Sequence, residues 1–233
     1  MSLLSCFNLT EIKPIAHGIN DLLKQVSENP NCKCKDYNVD VIDFFKAENY
    51  YNNLINSFDS STIILSDINN VNKNYKLLSK KIDTSKLGEI SDKYGVSIDR
   101  FLLSVFMFNL TKFSFSKDIL IAYNKLACGY HFNTDFTVEE YVIDFNKNFK
   151  EYYNYPLLNN QNLNFESDVL FFTDSFSSEN SYNFMFNYES GSVNLNYNVA
   201  CFSEELMKDF LDSFVVLIDK FALGDVLLNS ILI

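Results

Sequence analysis

The most apolar stretch of the chain lies within residues 98–113, and it limits the fold more than any other segment. At helical spacing, its apolar side chains cover almost every side: Ile98, Phe101, Leu102, Val105, Phe106 and Phe108. Ser97 is placed to cap this helix. A helix that is apolar all round is expected to be central and buried. Because Asn109 and Lys112 interrupt the run, it falls short of the roughly 18 apolar residues that span a bilayer.

Two segments near the C-terminus show the alternation of a β-hairpin. In residues 182–188 and 193–199 every second side chain is aromatic or aliphatic, and asparagines occupy most of the opposite face. The intervening ESGS fits the turn. Further strands are predicted at 61–65, 74–82, 118–124 and 168–173. We give the asparagines little weight, because an AT-rich genome would produce the same bias in composition.

Helices are predicted between these strands. They cover residues 18–27, residues 40–58, a segment ending at Gly95, a segment opened by the capping box Thr137-Val138-Glu139-Glu140, and a segment from Ser203 to Gly224. This mixture predicts an α/β (α+β) sandwich, in which one mixed sheet is covered by helices. The polar connector 66–74 is the one boundary we predict, and it separates residues 1–74 from residues 75–233.

Composition excludes several classes of partner. The net charge is −11, and Arg100 is the only arginine in the chain. Nucleic acid and anionic membranes would repel such a protein, so we predict that it binds neither. Five cysteines without disulfide-like spacing favour a reducing compartment. With no signal peptide and no membrane span in the sequence, we predict a cytoplasmic protein.

The sequence contains no strong catalytic or cofactor motif. Cys32-Lys33-Cys34 is too short for a structural zinc site, which uses four ligands. Cys128 and His131 form a weak nucleophile–base pair, because no third group is apparent to orient the histidine. Gly129 is predicted to mark a turn after the preceding strand. We therefore predict no metal and no cofactor.

Several segments, in order, resemble the C-terminal lobe of nonribosomal peptide synthetase condensation domains. Residues 87–124, LGEISDKYGVSIDRFLLSVFMFNLTKFSFSKDILIAYN, are similar to the opening of that lobe. Residues 134–157 are similar to the next helix and its Tyr-Pro-Leu motif, here Tyr155-Pro156-Leu157. The stretch from residue 193 to the C-terminus is similar to the end of the family. More loosely, residues 12–57 resemble its bridging segment.

The resemblance implies the two-lobed fold of CoA-dependent acyltransferases such as chloramphenicol acetyltransferase. In that family, phosphopantetheine arms of carrier domains enter a tunnel between the lobes, and a His-His-x-x-x-Asp-Gly motif holds the catalytic histidine. Against that pattern, we expect this protein to lack the N-terminal lobe with its paired histidines. The loop carrying a G-x-F-V-N-T motif is also compressed, with Gly129 and Asn133-Thr134 as remnants or Asn133-Thr134 simply preceding a helix.

His17 lies at the place of the motif. In IAHGINDLL, Gly18 matches the motif glycine and His17 stands where the aspartate would be. No second histidine precedes it, so this weak candidate is expected to be a remnant rather than an active base.

The resemblance therefore predicts a truncated, catalytically degenerate condensation-like protein that binds a peptidyl carrier protein or a complementary lobe, or self-associates. Residues 1–74 would be its bridging remnant and residues 75–233 its C-terminal lobe. One alternative is half of a split enzyme that forms peptide bonds between carrier-bound aminoacyl groups. Another is an unrelated α/β binding protein.

Overall fold

The structure is a computed structural model, and it describes residues 41–70, 74–124, 126–153, 165–173 and 182–231. The predicted helix at 18–27 lies outside this description. The described helices and strands, in chain order, are α1 (Val41–Asn56), β1 (Tyr75–Lys81), α2 (Thr84–Tyr94), α3 (Ile98–Ser114), β2 (Asp118–Tyr123), β3 (Leu126–His131), α4 (Val138–Tyr153), β4 (Val169–Phe172), β5 (Phe184–Glu189), β6 (Ser192–Asn198), α5 (Glu204–Leu223) and α6 (Leu228–Ile231).

The strands form one mixed six-stranded sheet in the order β1-β6-β5-β4-β2-β3. The central pairs β5–β4 and β4–β2 are parallel, and the other neighbouring pairs are antiparallel. Ser190 and Gly191 both have positive φ, 51° and 77°, which suits the tight turn between β5 and β6. The predicted sandwich and its C-terminal hairpin are confirmed.

Helix α3 is the centre of the core, as its sequence predicts. Phe106 is fully buried, and its ring centroid lies 5.2 Å from that of Phe171, 4.8 Å from that of Phe186 and 5.8 Å from that of Phe210. The polar interruption at Asn109 is also buried. Its side-chain amide donates to the Phe210 carbonyl of α5 at 3.0 Å, so it links two helices instead of facing water.

The predicted helix boundaries are confirmed by their caps. Gly95 ends α2 in the left-handed region at φ 64°, and the Ser97 hydroxyl accepts from the Arg100 amide to begin α3. Thr137 and Glu140 form the reciprocal capping box before α4, with the Thr137 amide donating to Glu140 Oε2 at 2.8 Å and the Glu140 amide donating to Thr137 Oγ1 at 3.2 Å.

The predicted strand at 61–65 is wrong. β4 pairs with β2 only through Ala122 and Tyr123, so the first half of β2 is left without a neighbouring strand on that side. Residue Thr62 occupies this space: its amide donates to the Leu120 carbonyl at 2.8 Å, and its hydroxyl accepts from the Leu120 amide at 2.9 Å. The two hydrogen bonds of Thr62 thus take the place of strand pairing beside the first half of β2.

Residues 61–70, here called the strap, then run past the ends of the strands towards α5. The Ile68 amide donates to the Cys201 carbonyl at 3.1 Å, and the Asn70 amide donates to the Ala200 carbonyl at 3.0 Å. Asp67 accepts from the Ser203 amide at 2.7 Å, which places a carboxylate at the positive end of the α5 helix dipole. The strap is therefore fixed at both ends. The division of the chain at residue 74 stays a prediction.

The predicted turn at Gly129 is also wrong. Gly129 lies within β3 and pairs with Leu120 of β2. A Cβ atom at this position would lie 2.5 Å from Cε2 of Phe58, so the missing side chain is what admits the phenyl ring. Glycine inside a strand commonly marks such a close approach rather than a turn.

Candidate functional site

A pocket of about 450 Å³ lies where the strap passes the beginnings of β4 and β5. Its lining combines two carboxylates, two aromatic side chains, two serines and one aliphatic side chain: Glu166, Asp168, Phe165, Tyr182, Ser61, Ser167 and Ile63. Pockets that bind small ligands commonly have volumes of about 300–1,000 Å³. The pocket is therefore large enough for a small molecule or for one long side chain of a partner.

Backbone and side-chain hydrogen bonds fix the rim of the pocket. The Ser167 hydroxyl bonds to the backbone of Val169 at the start of β4. Asp168 Oδ1 accepts from the Asn183 side-chain amide at 2.9 Å, and the Asp168 carbonyl accepts from the Phe184 amide at 3.0 Å. These bonds hold Asp168 at the ends of two neighbouring strands, so the position of its carboxylate is set by the sheet.

Two lines of hydrogen-bonded side chains, here called the amide rows, cross the sheet face opposite α3. In the first row, the Asn198 amide donates to Asn183 Oδ1 at 2.9 Å, and Asn183 in turn donates to Asp168. In the second row, the Ser79 hydroxyl donates to Asn194 Oδ1 at 2.7 Å, and the Asn194 amide donates to Asn187 Oδ1 at 3.0 Å.

The amide rows show that the asparagines have a structural role, so giving them little weight on the basis of composition was wrong. Asn187 is 0% exposed and Asn198 is 1% exposed, so these amides are part of the interior. Composition alone could not reveal this, because the partners of each asparagine are on other strands.

A second polar feature is the pair His131 and Asp118, which face each other at the open end of the β2–β3 hairpin. The His131 Nδ1 lies 2.7 Å from Asp118 Oδ1, and the imidazole stacks on the Phe58 ring at a centroid distance of 4.1 Å. A carboxylate on Nδ1 is the arrangement that orients a general base. Both side chains are more than half exposed, which is unlike the enclosed setting of most catalytic pairs.

Sequence analysis missed this pair because it placed Gly129 in a turn. Once residues 126–131 are recognised as a strand, the hairpin register pairs Asp118 with His131 directly.

Cys128 and His131 are not brought together as a catalytic pair. They are three residues apart in β3, so their side chains point to opposite faces of the sheet. Cys128 is buried, and burial raises the pKa of its thiol well above the ordinary value. A thiol in that environment stays protonated and is a poor nucleophile.

The remaining sequence candidates fall in two groups. His17, Cys32-Lys33-Cys34 and Tyr155-Pro156-Leu157 lie outside the described residues. Asn133 and Thr134 are described, and they form the turn that leads into α4, where the Asn133 side chain accepts from the Asp135 amide at 3.1 Å.

Within the described part of the chain, no group of three or more histidine, cysteine, aspartate or glutamate side chains could hold a metal ion. Among the helices of the same residues, none is long and apolar enough to cross a membrane.

Comparison with solved structures shows what the sheet and its helices resemble. No known family profile matches the sequence, and no curated protein matches it. The first condensation domain of the CDA synthetase is similar, with a TM-score of 0.69 and 9% identity over 81% of this chain and 53% of that one. The X-domain from teicoplanin biosynthesis is similar, with a TM-score of 0.67 and 10% identity over 90% of this chain and 60% of that one.

A four-domain nonribosomal peptide synthetase bound to AMP and glycine is also similar. Its TM-score is 0.67 at 10% identity, over 88% of this chain and 21% of that one. The chain thus spans about a fifth of this synthetase and little more than half of the other two chains. The likeness shows the fold: the chain has the α/β fold of condensation domains, consistent with their C-terminal lobe. The resemblance noted in the sequence is confirmed at that level.

Proposed function

We propose that this chain acts as a condensation-type lobe in carrier-linked peptide biosynthesis, and that it works by binding rather than by catalysis. Its partner would be a complementary N-terminal lobe or a peptidyl carrier protein. The observation that carries the proposal is the fold, which matches a condensation domain over 81% of the chain at a TM-score of 0.69.

The histidines support the non-catalytic part of the proposal. The condensation motif needs two adjacent histidines, whereas this sequence has two in all, His17 and His131, and they are far apart. His131 lies on the surface with Asp118, and its side chain is 54% exposed. Neither histidine reproduces the motif, so this stretch of chain would provide shape and surface to an assembly rather than a base.

The sheet face that carries the amide rows supports the binding part. α3 and α5 cover the opposite face, where Phe106 and Phe210 meet Phe184 and Phe186. On the amide-row face, Leu77 of β1 pairs with Asn196 and is 55% exposed. An exposed apolar side chain at the β1 edge of this face suits contact with another folded lobe.

The experiment measures both binding and chemistry with defined probes. The chain is mixed with the N-terminal lobe of the first CDA synthetase condensation domain, or with a peptidyl carrier protein of that synthetase, and complexes are sized by light scattering. We expect a complex with one of these probes, and no dipeptide when two loaded carrier proteins are added. Leu77→Asp should weaken the complex, whereas Val216→Asp, on the outer side of α5, should not.

Three outcomes would contradict the proposal. Dipeptide formed by the chain alone would reject the non-catalytic part. Dipeptide formed only after the N-terminal lobe is added would make the chain half of a split enzyme. A strictly monomeric chain that binds neither probe would reject the binding part.

A further inference from the structure

The pocket beside the strap carries negative charge without a basic partner in the described part of the chain. Glu166 and Asp168 are exposed at its rim, and neither forms an ion pair with a described lysine or arginine. Two carboxylates at one pocket, of which Asp168 is held in place by Asn183, favour a cationic occupant.

The walls of the pocket favour a particular kind of cation. Phe165 and Tyr182 are both largely buried, at 8% and 9% exposure, so their rings are held in place. Aromatic rings attract cations, and the planar guanidinium of arginine also stacks on them. Ser61 and Ser167 add hydroxyl acceptors at the same pocket. A long, flexible side chain that ends in a guanidinium or ammonium group fits this combination.

The strap beside the pocket alternates in the manner of an extended segment. Thr62 and Ile64 point inward, at 5% and 3% exposure, whereas Ile63 and Leu65 point outward, at 56% and 61%. Residues 60–66 carry no charged side chain, although the whole chain has a net charge of −11. Ile63 also lines the pocket, so the apolar face of the strap and the acidic pocket are continuous.

We propose that the strap and its pocket bind an extended segment of a partner protein, with apolar residues against Ile63 and Leu65 and one arginine or lysine side chain in the pocket. Charge complementarity selects this occupant, because the apolar strap is flanked by Asp59 and Asp67 and adjoins Glu166 and Asp168. Extended peptides commonly bind along extended segments, with alternate side chains entering pockets. The proposal does not rest on the condensation-type function.

The test uses the intact chain and two synthetic peptides. One is the acetylated, amidated pentapeptide Val-Thr-Arg-Thr-Val, whose valines and arginine share one face when the chain is extended, and the other has citrulline in place of arginine. Citrulline keeps the shape of arginine and removes its charge. Calorimetric titration should give a dissociation constant about tenfold lower or more for the arginine peptide, since charge-assisted hydrogen bonds are the strong ones. This comparison needs no variant, so it does not depend on whether a substituted protein folds.

Matched variants locate the binding site. Glu166→Gln with Asp168→Asn should remove the preference for arginine over citrulline. Glu89→Gln with Asp209→Asn makes the same change in net charge on the exposed sides of α2 and α5, and should leave the preference intact. Ile63→Thr should weaken the binding of both peptides by the same factor, because it changes the apolar contact and leaves the carboxylates in place.

Three outcomes would overturn the proposal. Equal binding of the two peptides, or no binding of either, would show that the pocket does not select a cationic side chain. Arginine amide binding as tightly as the pentapeptide would show that the ligand is a small cation and that the strap contributes nothing. All three results are independent of whether the chain binds a condensation lobe.

Discussion

Strand β5 shows how differently the two faces of the sheet are built. Phe184 and Phe186 point towards α3 and α5, and both are fully buried among aromatic rings. Asn187 follows them on the opposite face and is equally buried, but it accepts a hydrogen bond from the Asn194 amide at 3.0 Å. The face towards α3 is thus held by the packing of rings, and the opposite face adds directed side-chain hydrogen bonds.

The difference teaches what each face contributes to the fold. Packing of rings removes a large apolar area from water, and it therefore supplies most of the free energy of folding. It depends little on the direction of each contact. The amide rows depend on which residues are opposite each other. A shift of the β5–β6 register by one residue would exchange the two faces and separate Asn194 from Asn187. We infer that the amide rows specify the register and contribute less to stability.

The largest effect is expected on the packed face. Phe106→Ala should lower the free energy of unfolding by about 3–5 kcal/mol, because it leaves a cavity among rings that cannot fully collapse. Urea denaturation followed by circular dichroism measures this change. Phe115→Ala is the control, since Phe115 is 82% exposed, and it should change stability by about 0.5 kcal/mol or less. Equal effects of the two substitutions would show that α3 is not the centre of the core.

A smaller effect is expected on the face opposite α3, at the close contact of Gly129. Gly129→Ala should cost about 1–3 kcal/mol, because the new Cβ meets the Phe58 ring, which is itself held by its stack on His131. Gly88→Ala is the matched control: nothing lies within 4 Å of its Cβ position in helix α2, so it should stabilise the protein by about 0.4–1 kcal/mol.

A double variant isolates the contact. If the Gly129→Ala penalty comes from the phenyl ring, then it should largely disappear in a Phe58→Ala background. A penalty that persists there would place its origin in the strand backbone instead.

Gly129 also shows what the sequence can and cannot predict. Local signals predicted the elements that depend on near neighbours: the buried helix α3, the Gly95 and Ser97 boundaries, and the capping box at Thr137. A glycine that permits a turn and a glycine that admits a distant ring give the same local signal. Only the position of Phe58, in another part of the fold, distinguishes them.

The candidate site was not predictable for a related reason. Its side chains come from the strap, from the residues before β4 and from Tyr182, and no two of these segments are neighbours in sequence. None of them contains a motif, because the pocket is defined by where the strap passes the strand ends. The strap itself was predicted as a strand because STIIL has the composition of one. In the structure it bonds to β2 through Thr62, in the space that the short β4 leaves open.

A third substitution tests the hydrogen bonds of the first amide row. Asn198→Ala should cost about 1–2 kcal/mol, because it leaves the buried Ala200 amide without the Asn198 Oδ1 acceptor and Asn183 without a donor. Asn196→Ala, on the same face between the two rows, is the control, and its effect should be about 0.5 kcal/mol or less. If both substitutions lower the free energy of unfolding by the same amount, then the amide rows do not have this structural role.

The smallest effect is expected at the rim of the helix-covered face, where Lys76 of β1 and Lys208 of α5 both bond to Glu204. Hydrogen bonds from Lys208 and Lys76 lower the pKa of Glu204 to about 2 from its ordinary 4.5. A depressed carboxylate pKa contributes stability that is present above the unfolded-state pKa and is lost as the pH falls through the folded value.

Glu204→Gln should therefore reduce the loss of stability between about pH 4.5 and pH 2 and leave stability near pH 7 only slightly changed. Thermal unfolding across this pH range measures the difference. Glu205→Gln, an exposed neighbour in the same helical turn, should keep the original acid profile. Because solvent screens exposed pairs, about 1 M salt should also narrow the difference between Glu204→Gln and the unchanged protein. An identical acid profile for both substitutions would mean that the ion pairs of Glu204 do not contribute to the pH dependence of stability.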